Sequence, residues 1–318
     1  MRRLLILVMT MFLCVAGAGL ASAEVARTSH RSTAVQHTRS IPRTSPPPPA
    51  QEAPPPTPHS SPPPTTISVS APSPEDRATA TAKVTQATQA ILPDSQVGFE
   101  VFDRISGTEL AGGNTDQQYA SMSVVKLLIA LDTLARDNWA APDGATQQQL
   151  HQMLANSDDQ IADTLWTAEG GPAIVTTMAN LLGLTGTQPP SDPGEWGDTL
   201  ITPQDMVTVY RYIADQLPKP DQDIILGALS GTPRIAADGS DQYFGIPDGM
   251  PNATWAIKQG WGTSGSRAVM NSTGLIGTDS RYIVVILTSA PESSYSTLPA
   301  VVTAAAGALT NLVTTANS

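Results

Sequence analysis

The pattern of hydrophobic and polar positions divides the chain into an opening helix, two strands, a block of helices, three strands and a closing helix. Residues 96–103 (QVGFEVFD) alternate, with Val97, Phe99 and Val101 on one face, which is typical of a strand. A turn and a partner strand over 108–113 are predicted to follow. The remaining elements are predicted as strands over 254–261, 266–277 and 281–290, and as helices over 75–92, 121–139, 146–155, 158–168, 171–182, 203–217 and 297–313.

This order of elements predicts a mixed α/β (α+β) fold. Strands that follow one another along the chain favour antiparallel pairing, so we expect one antiparallel sheet assembled from both ends of the domain. The terminal helices would flank the sheet, and the helical block would form a subdomain beside it. A binding site is expected in the cleft between the two parts.

The first residues are typical of a secretory signal peptide, predicted over 1–23. Arg2 and Arg3 precede a long apolar run, and a small-residue cleavage pattern ends at Ala23. A transmembrane anchor is the alternative interpretation. A lipoprotein signal is disfavoured because Cys14 lies inside the apolar run rather than at its end. The mature protein is therefore expected to be secreted or held in the cell envelope, outside the cytoplasmic membrane.

A proline-rich linker is predicted over residues 24–74. The chain has 28 prolines, and half of them lie between Pro42 and Pro74. Such a composition favours disordered, extended polyproline II conformations and cannot bury a core. A proline-rich ligand for a partner domain is the alternative. Residues 75–318 are expected to form a single domain.

The charge differs between these parts. Residues 1–74 contain 6 Lys and Arg and 2 Asp and Glu. From Glu75 onward there are 11 Lys and Arg and 26 Asp and Glu. An acidic domain argues against a nucleic-acid partner. The basic tail is compatible with contact to anionic envelope polymers, and we expect a monomer.

Several classes of catalytic chemistry are excluded by composition. Cys14 is the only cysteine, so signal cleavage would leave no thiol for catalysis or metal binding. His151 is the only histidine after residue 74, and one imidazole cannot build a His-rich zinc site. It is interpreted as a surface histidine rather than a triad base. We therefore expect neither a metal nor a cofactor.

A different catalytic pair stands at the start of the predicted helix 121–139. Ser123 and Lys126 are spaced i, i+3 and share one helix face. The neighbouring residues are apolar almost all round, which predicts burial. Burial lowers the pKa of an ammonium, so Lys126 could act as a base beside a nucleophilic hydroxyl. The alternative is a lysine that extends from a packed helix to solvent.

Two further segments follow in order. Residues 156–160 (NSDDQ) contain Ser157, which with Gln160 is alternatively interpreted as a helix capping box. Residues 255–261 (WAIKQGW) contain Lys258 and are alternatively an ordinary strand that ends in a turn. Neither segment is specific alone, and the order of the three supports a common site.

With these motifs the sequence resembles the penicillin-recognising serine enzymes, the class A β-lactamases and related D,D-peptidases, over roughly 76–316. That family carries Ser-x-x-Lys, Ser-Asp-Asn and Lys-Thr-Gly in this order. The corresponding residues here are 123–126 (SVVK), 157–159 (SDD) and 258–260 (KQG). Asp159 therefore replaces an asparagine and Gln259 a threonine.

The resemblance implies a β-lactamase/transpeptidase-like fold and an acyl-enzyme mechanism on β-lactams or peptidoglycan peptides. Ser123 would attack the carbonyl, Lys126 would take its proton, Ser157 would relay a proton to the leaving nitrogen, and Lys258 would support that relay. Substrate binding would fall to Asp159, Gly260 and Trp261, with the oxyanion between the N–H groups of Ser123 and Trp261, and with Arg267 as a candidate for the substrate carboxylate.

Turnover is expected to be slow. Class A enzymes have a glutamate followed four residues later by an asparagine, and this pair positions the deacylating water. Here Glu195 is followed by Thr199, so Glu195 is only a possible deacylation base. A D,D-peptidase-like or slow activity is favoured over efficient β-lactam hydrolysis. The alternative is a non-catalytic envelope binding protein that keeps the fold.

Overall fold

The computed structural model describes residues 72–314, so the signal peptide and almost all of the linker lie outside the described residues. A five-stranded antiparallel sheet has the order β2-β1-β7-β6-β5. Its strands are β1 (Gln96–Asp103), β2 (Thr108–Gly113), β5 (Trp255–Ser264), β6 (Arg267–Ile276) and β7 (Tyr282–Pro291), and a separate short pair joins β3 (Tyr119–Ala120) to β4 (Leu200–Ile201). Because β1 pairs with β7, the two ends of the domain meet in one sheet, as predicted.

Helices cover both faces of the sheet. Over the described range they are α1 (Pro74–Gln89), α2 (Lys126–Arg136), α3 (Gly144–Ala155), α4 (Asp159–Glu169), α5 (Pro172–Leu182), α6 (Pro203–Asp215), α7 (Lys219–Ser230), α8 (Ile246–Gly249) and α9 (Leu298–Thr314). Helices α1, α8 and α9 lie together on one face, and α6 packs on the other with the remaining helices beyond it. The predicted fold class is confirmed.

Strand β7 shows why the sheet is the middle layer. Val284 and Ile286 are buried in the core beneath α1 and α9, whereas Ile283, Val285 and Leu287 are buried in the core of the helical subdomain. A strand buried on both faces becomes almost continuously apolar, as "YIVVIL" is. Helix α9, with the 3₁₀ turn before it, is apolar and long enough to cross a membrane by composition alone, but much of it packs into this core.

The predicted helix 121–139 differs in detail. It begins as a 3₁₀ turn over Met122–Val125 and becomes α-helical only from Lys126. It ends at Arg136 because Asn138 and Trp139 adopt positive φ angles of 52° and 59°, which an α-helix does not accommodate. Helix α7 was not predicted, since prolines mark its start and hide its periodicity.

A buried carboxyl on β1 generates a prediction about stability. Glu100 is 6% exposed, and burial together with the nearby charge of Glu109 raises its pKa to about 7. The folded state therefore favours the protonated form, so this contribution is fully present below about pH 4.5 and is lost as pH rises toward 7. We expect Glu100→Gln to raise the free energy of unfolding at pH 8 by about 1 kcal/mol or more.

The measurement is urea unfolding of the wild type and Glu100→Gln at pH values between 5 and 8. The exposed Glu75, changed to Gln, is the control and should leave the pH dependence as in the wild type. An equally steep loss of stability with pH in Glu100→Gln would contradict the assignment.

Candidate active site

The hydroxyl of Ser123 lies at the floor of a cleft of about 490 Å³. Ser123 is 6% exposed and follows Met122, whose φ of 48° is unusual for a residue with a side chain. Such strain is typical of functional positions, where the surrounding structure enforces it. The cleft is lined by residues of the 3₁₀ turn, α4, the loop before β4, a turn at Asp238 and β5: Met122, Ser123, Asp159, Asp163, Gly194, Glu195, Trp196, Gly197, Asp198, Asp238, Trp261, Gly262 and Thr263.

Lys126 is completely buried beside this serine. Its Nζ lies 2.9 Å from Ser123 Oγ, 2.8 Å from the carbonyl oxygen of Ser157 and 2.5 Å from Asp159 Oδ1. The ammonium therefore does not extend to solvent, and the alternative interpretation of a surface-reaching lysine is wrong. Of these partners, Ser123 and Asp159 also line the cleft.

Ser157 lies between two lysines. Its Oγ accepts a hydrogen bond from Lys258 Nζ at 2.9 Å and lies 3.4 Å from Lys126 Nζ. The capping-box interpretation is wrong, because Asp158 caps α4 by accepting from the N–H groups of Gln160 and Ile161. Ser157 itself has a left-handed φ of 56°, which frees its hydroxyl from the helix and turns it to the lysines.

Burial sets the protonation of both lysines. It lowers the pKa of Lys126, and the carboxylate of Asp159 opposes this effect. Burial lowers the pKa of Lys258 still further, and the charge of Lys126 acts in the same direction. A neutral amine is therefore more accessible at both positions than for a lysine in water.

Strand β5 approaches the nucleophile closely because residue 260 is glycine. A Cβ at Gly260 would lie 2.6 Å from the carbonyl oxygen of Ser121 and 3.2 Å from the amide nitrogen of Ser123. The amide of Ser123 stands in the first turn of a helix, where N–H groups lack partners within the helix. The backbone of Trp261 follows directly, so the two N–H groups expected to hold an oxyanion lie on neighbouring segments.

The two motif departures lie in different environments. Asp159 lines the cleft and pairs with Lys126, although its side chain is 57% exposed. Gln259 lies elsewhere: it is fully buried and donates to the carbonyl oxygens of Gln242 and Phe244. Its side chain therefore binds the segment before α8 and does not line the cleft.

Arg267 is not brought to this site. Its guanidinium donates to Ser289 Oγ at 3.0 Å on β7, and it is not among the residues that line the cleft. Glu195 does line the cleft and is exposed, and its side chain makes no hydrogen bond to another described residue.

Sequence reasoning missed the tryptophan that covers Lys126. The Trp196 ring centre lies 4.8 Å from Lys126 Nζ, and its indole N–H donates to Asp163 Oδ1 at 2.7 Å. A second indole, of Trp166, donates to the carbonyl oxygen of Pro193 at 2.9 Å. These two bonds fix the loop before β4 over the cleft. No spacing rule links Trp196 to Lys126, since the loop is placed by tertiary contacts.

Sequence reasoning also missed Asp238. Its carboxylate accepts from Ser240 and from the indole N–H of Trp261 at 3.1 Å, and it lines the cleft. His151 is exposed on α3 in a separate groove against α7 and does not line this cleft. Between residues 72 and 314 no group of three or more metal-ligating side chains is found.

Comparison with solved structures identifies the fold. The fold matches a β-lactamase from Chitinophaga pinensis DSM 2588 with a TM-score of 0.59 and 14% identity, covering 74% of this chain and 99% of that one. It also matches PBP-A with a TM-score of 0.56 and 18% identity, covering 73% and 96%. A mutant of PBP-A, described as an acyl-enzyme complex with penicillin G, matches with a TM-score of 0.57 and 17% identity, covering 73% and 96%. The fold is that of the penicillin-recognising serine hydrolase superfamily.

Sequence comparison identifies the family. The model of the β-lactamase enzyme family matches residues 143–312. "Putative lipoprotein LppW" of Mycobacterium tuberculosis (strain ATCC 25618 / H37Rv) is 37% identical over 211 residues, covering 64% of this chain and 67% of the relative, and the protein of the same name from Mycobacterium bovis matches equally. The chain belongs to the β-lactamase enzyme family. The range matched by the family model contains Ser157 and Lys258 and begins after Ser123.

Proposed function

We propose that the protein is an exported serine hydrolase that forms an acyl-enzyme on Ser123 with β-lactams or peptidoglycan peptides and releases it slowly. The observation that carries this proposal is the 2.9 Å contact between Ser123 Oγ and a buried Lys126 Nζ. A hydroxyl within hydrogen-bond reach of a desolvated amine is the usual arrangement of an activated nucleophile.

Acylation follows from this contact. Neutral Lys126 takes the Ser123 proton at Nζ while Oγ bonds to the substrate carbonyl carbon. The negative charge that develops on the carbonyl oxygen is stabilised by the N–H groups of Ser123 and Trp261. Ser157, hydrogen-bonded to Lys258, then passes its proton to the leaving nitrogen as the carbon–nitrogen bond breaks. It takes up in return the proton that Lys126 has accepted, because its Oγ lies 3.4 Å from Lys126 Nζ.

Asp159 modifies this reaction rather than replacing a step in it. Its carboxylate accepts from Lys126 at 2.5 Å and favours the ammonium form, which is not a base. Acylation therefore requires loss of that proton, and it should accelerate as pH rises through the pKa of Lys126.

The second candidate function is that of a non-catalytic envelope binding protein. The same Lys126–Asp159 pair favours it, because a permanently charged Lys126 cannot accept the Ser123 proton. The two candidates differ in whether Ser123 becomes covalently modified, which is directly measurable.

Location is part of the proposal. The relative's name describes a lipoprotein, which supports an envelope-associated role, although Cys14 of this chain lies inside its apolar run. We therefore propose cleavage after Ala23 and a proline-rich linker up to residue 74 that carries the domain from 75 onward.

The first test of the proposal is covalent labelling. We expect a fluorescent penicillin to add one acyl group to Ser123, Ser123→Ala to abolish the adduct, and Lys126→Ala to slow it by at least about 10²-fold, the lower range for general-base catalysis. Intact-mass spectrometry followed by peptide mapping measures both the extent and the position of labelling.

The surface variants Ser230→Ala and Lys219→Ala are controls, since both positions are exposed and lie away from the cleft. They should label like the wild type. A folded wild type that takes no label at millimolar probe over hours would favour the binding protein instead.

A second test concerns release of the acyl group. Trp196 lies over Lys126, and Glu195 is the carboxylate of this loop with the reach to activate a water. We expect the adduct to persist after free penicillin is removed. If Glu195 contributes to release, Glu195→Gln should lengthen the lifetime of the adduct and leave its rate of formation nearly unchanged.

Adduct mass followed against time after rapid gel filtration gives the lifetime. The exposed Glu292→Gln is the control and should match the wild type. Loss of the adduct within seconds in both the wild type and Glu195→Gln would show that another base serves, and this view of the loop would be wrong.

A further inference from the structure

The side chains that line the cleft carry an excess of negative charge. Asp159, Asp163, Glu195, Asp198 and Asp238 all line it, and no lysine or arginine is among the lining residues that the structure describes. The residues come from α4, from the loop before β4 and from the turn before α8, so the walls on several sides are acidic. A cleft lined by one sign of charge concentrates ligands of the opposite sign.

The lysines beneath the cleft do not neutralise the negative charge of its lining for an approaching ligand. Lys126 and Lys258 are 0% and 1% exposed, so a ligand meets the carboxylates first. Lys258 donates to Ser157 and to the carbonyl oxygen of Gln259, and Arg267 donates to Ser289 on β7. None of these cations is presented to a ligand carboxylate at the open side of the cleft.

Two of the carboxylates are fixed by aromatic side chains, and two are free. Asp163 accepts from the indole of Trp196, and Asp238 accepts from the indole of Trp261. Glu195 and Asp198 make no side-chain hydrogen bond or ion pair to another described residue, which leaves both available to a ligand. Indole rings also attract cations through their faces, and both rings line the cleft.

We propose that this cleft selects substrates whose acyl part carries a positive charge, such as a peptide with a free ammonium group close to the scissile carbonyl. The proposal rests on the acylation of Ser123 proposed above and names the chemical class of its substrate. Glu195 and Asp198 are assigned as the residues that contact the ammonium, with Trp196 and Trp261 beside them.

Three penicillins test the proposal, because they differ in charge at one carbon of the side chain. Ampicillin carries an ammonium there at about pH 7, below the ordinary pKa of an α-amino group. Benzylpenicillin carries hydrogen, and carbenicillin a carboxylate. We expect ampicillin to acylate Ser123 about tenfold faster than carbenicillin at low salt, with benzylpenicillin between them. This is the size expected for a difference of two units of charge near partly exposed carboxylates.

The double variant Glu195→Gln/Asp198→Asn should reduce the spread of acylation rates among the three penicillins. Added salt should reduce the same spread in the wild type. Asp94→Asn is a control for net charge, since Asp94 is exposed and outside the cleft, and it should keep the full spread. Carbenicillin reacting as fast as ampicillin, or an unchanged spread in the double variant, would overturn the proposal.

Binding to Ser123→Ala, followed by quenching of tryptophan fluorescence, separates this inference from the proposed catalysis. Tighter binding of ampicillin than of carbenicillin, without any adduct in the wild type, would support the charge selection and overturn the acyl-enzyme. Adducts that form at rates that do not follow the charge of the penicillin would support the acyl-enzyme and overturn the charge selection. The absence of both binding and adducts would overturn both proposals.

Discussion

The burial of two lysine side chains, Lys126 and Lys258, on either side of Ser157 is the constraint on which the site depends. Removing an ammonium from water costs several kcal/mol unless its donors are satisfied. Hydrogen bonds to Ser123, Ser157 and Asp159 offset this cost for Lys126. Hydrogen bonds to Ser157 and to the carbonyl oxygen of Gln259 offset it for Lys258. One of these contacts places the amine of Lys126 beside the candidate nucleophile Ser123. The same hydrogen bonds therefore stabilise the buried lysines and arrange the groups needed for the reaction.

The fold supplies this arrangement from three separate parts. The edge strand β5 carries Lys258, and Lys126 stands at the start of α2. Ser157, which has a left-handed φ angle, lies just before α4. Gly260 lets β5 approach the nucleophile, because a side chain there would collide with the backbone of Ser121. Since α2 is anchored in the core of the helical subdomain, the cleft lies where that subdomain meets the sheet.

Local sequence patterns predicted the strands and the Ser123–Lys126 pair. The other features of the site depend on tertiary contacts, which local patterns do not show. Ser123 and Lys126 are one helical turn apart, so their pairing follows from spacing alone. The hydrophobic pattern and the turns between segments predicted all five strands of the main sheet. Ser157 and Asp158 are both good caps, so sequence could not decide between them. Trp196 and Asp238 reach the cleft only through loops that long-range hydrogen bonds position, and no periodicity records such contacts.

The most direct test of the central claim is the pH profile of Ser123 acylation in the wild type and in Asp159→Asn. If Lys126 is the base, the rate should rise as pH increases through its pKa. Asp159 raises that pKa, so its neutralisation should move the rising limb to lower pH. A limb that stays at the same pH in both proteins, or a rate that does not depend on pH, would contradict the role assigned to Lys126.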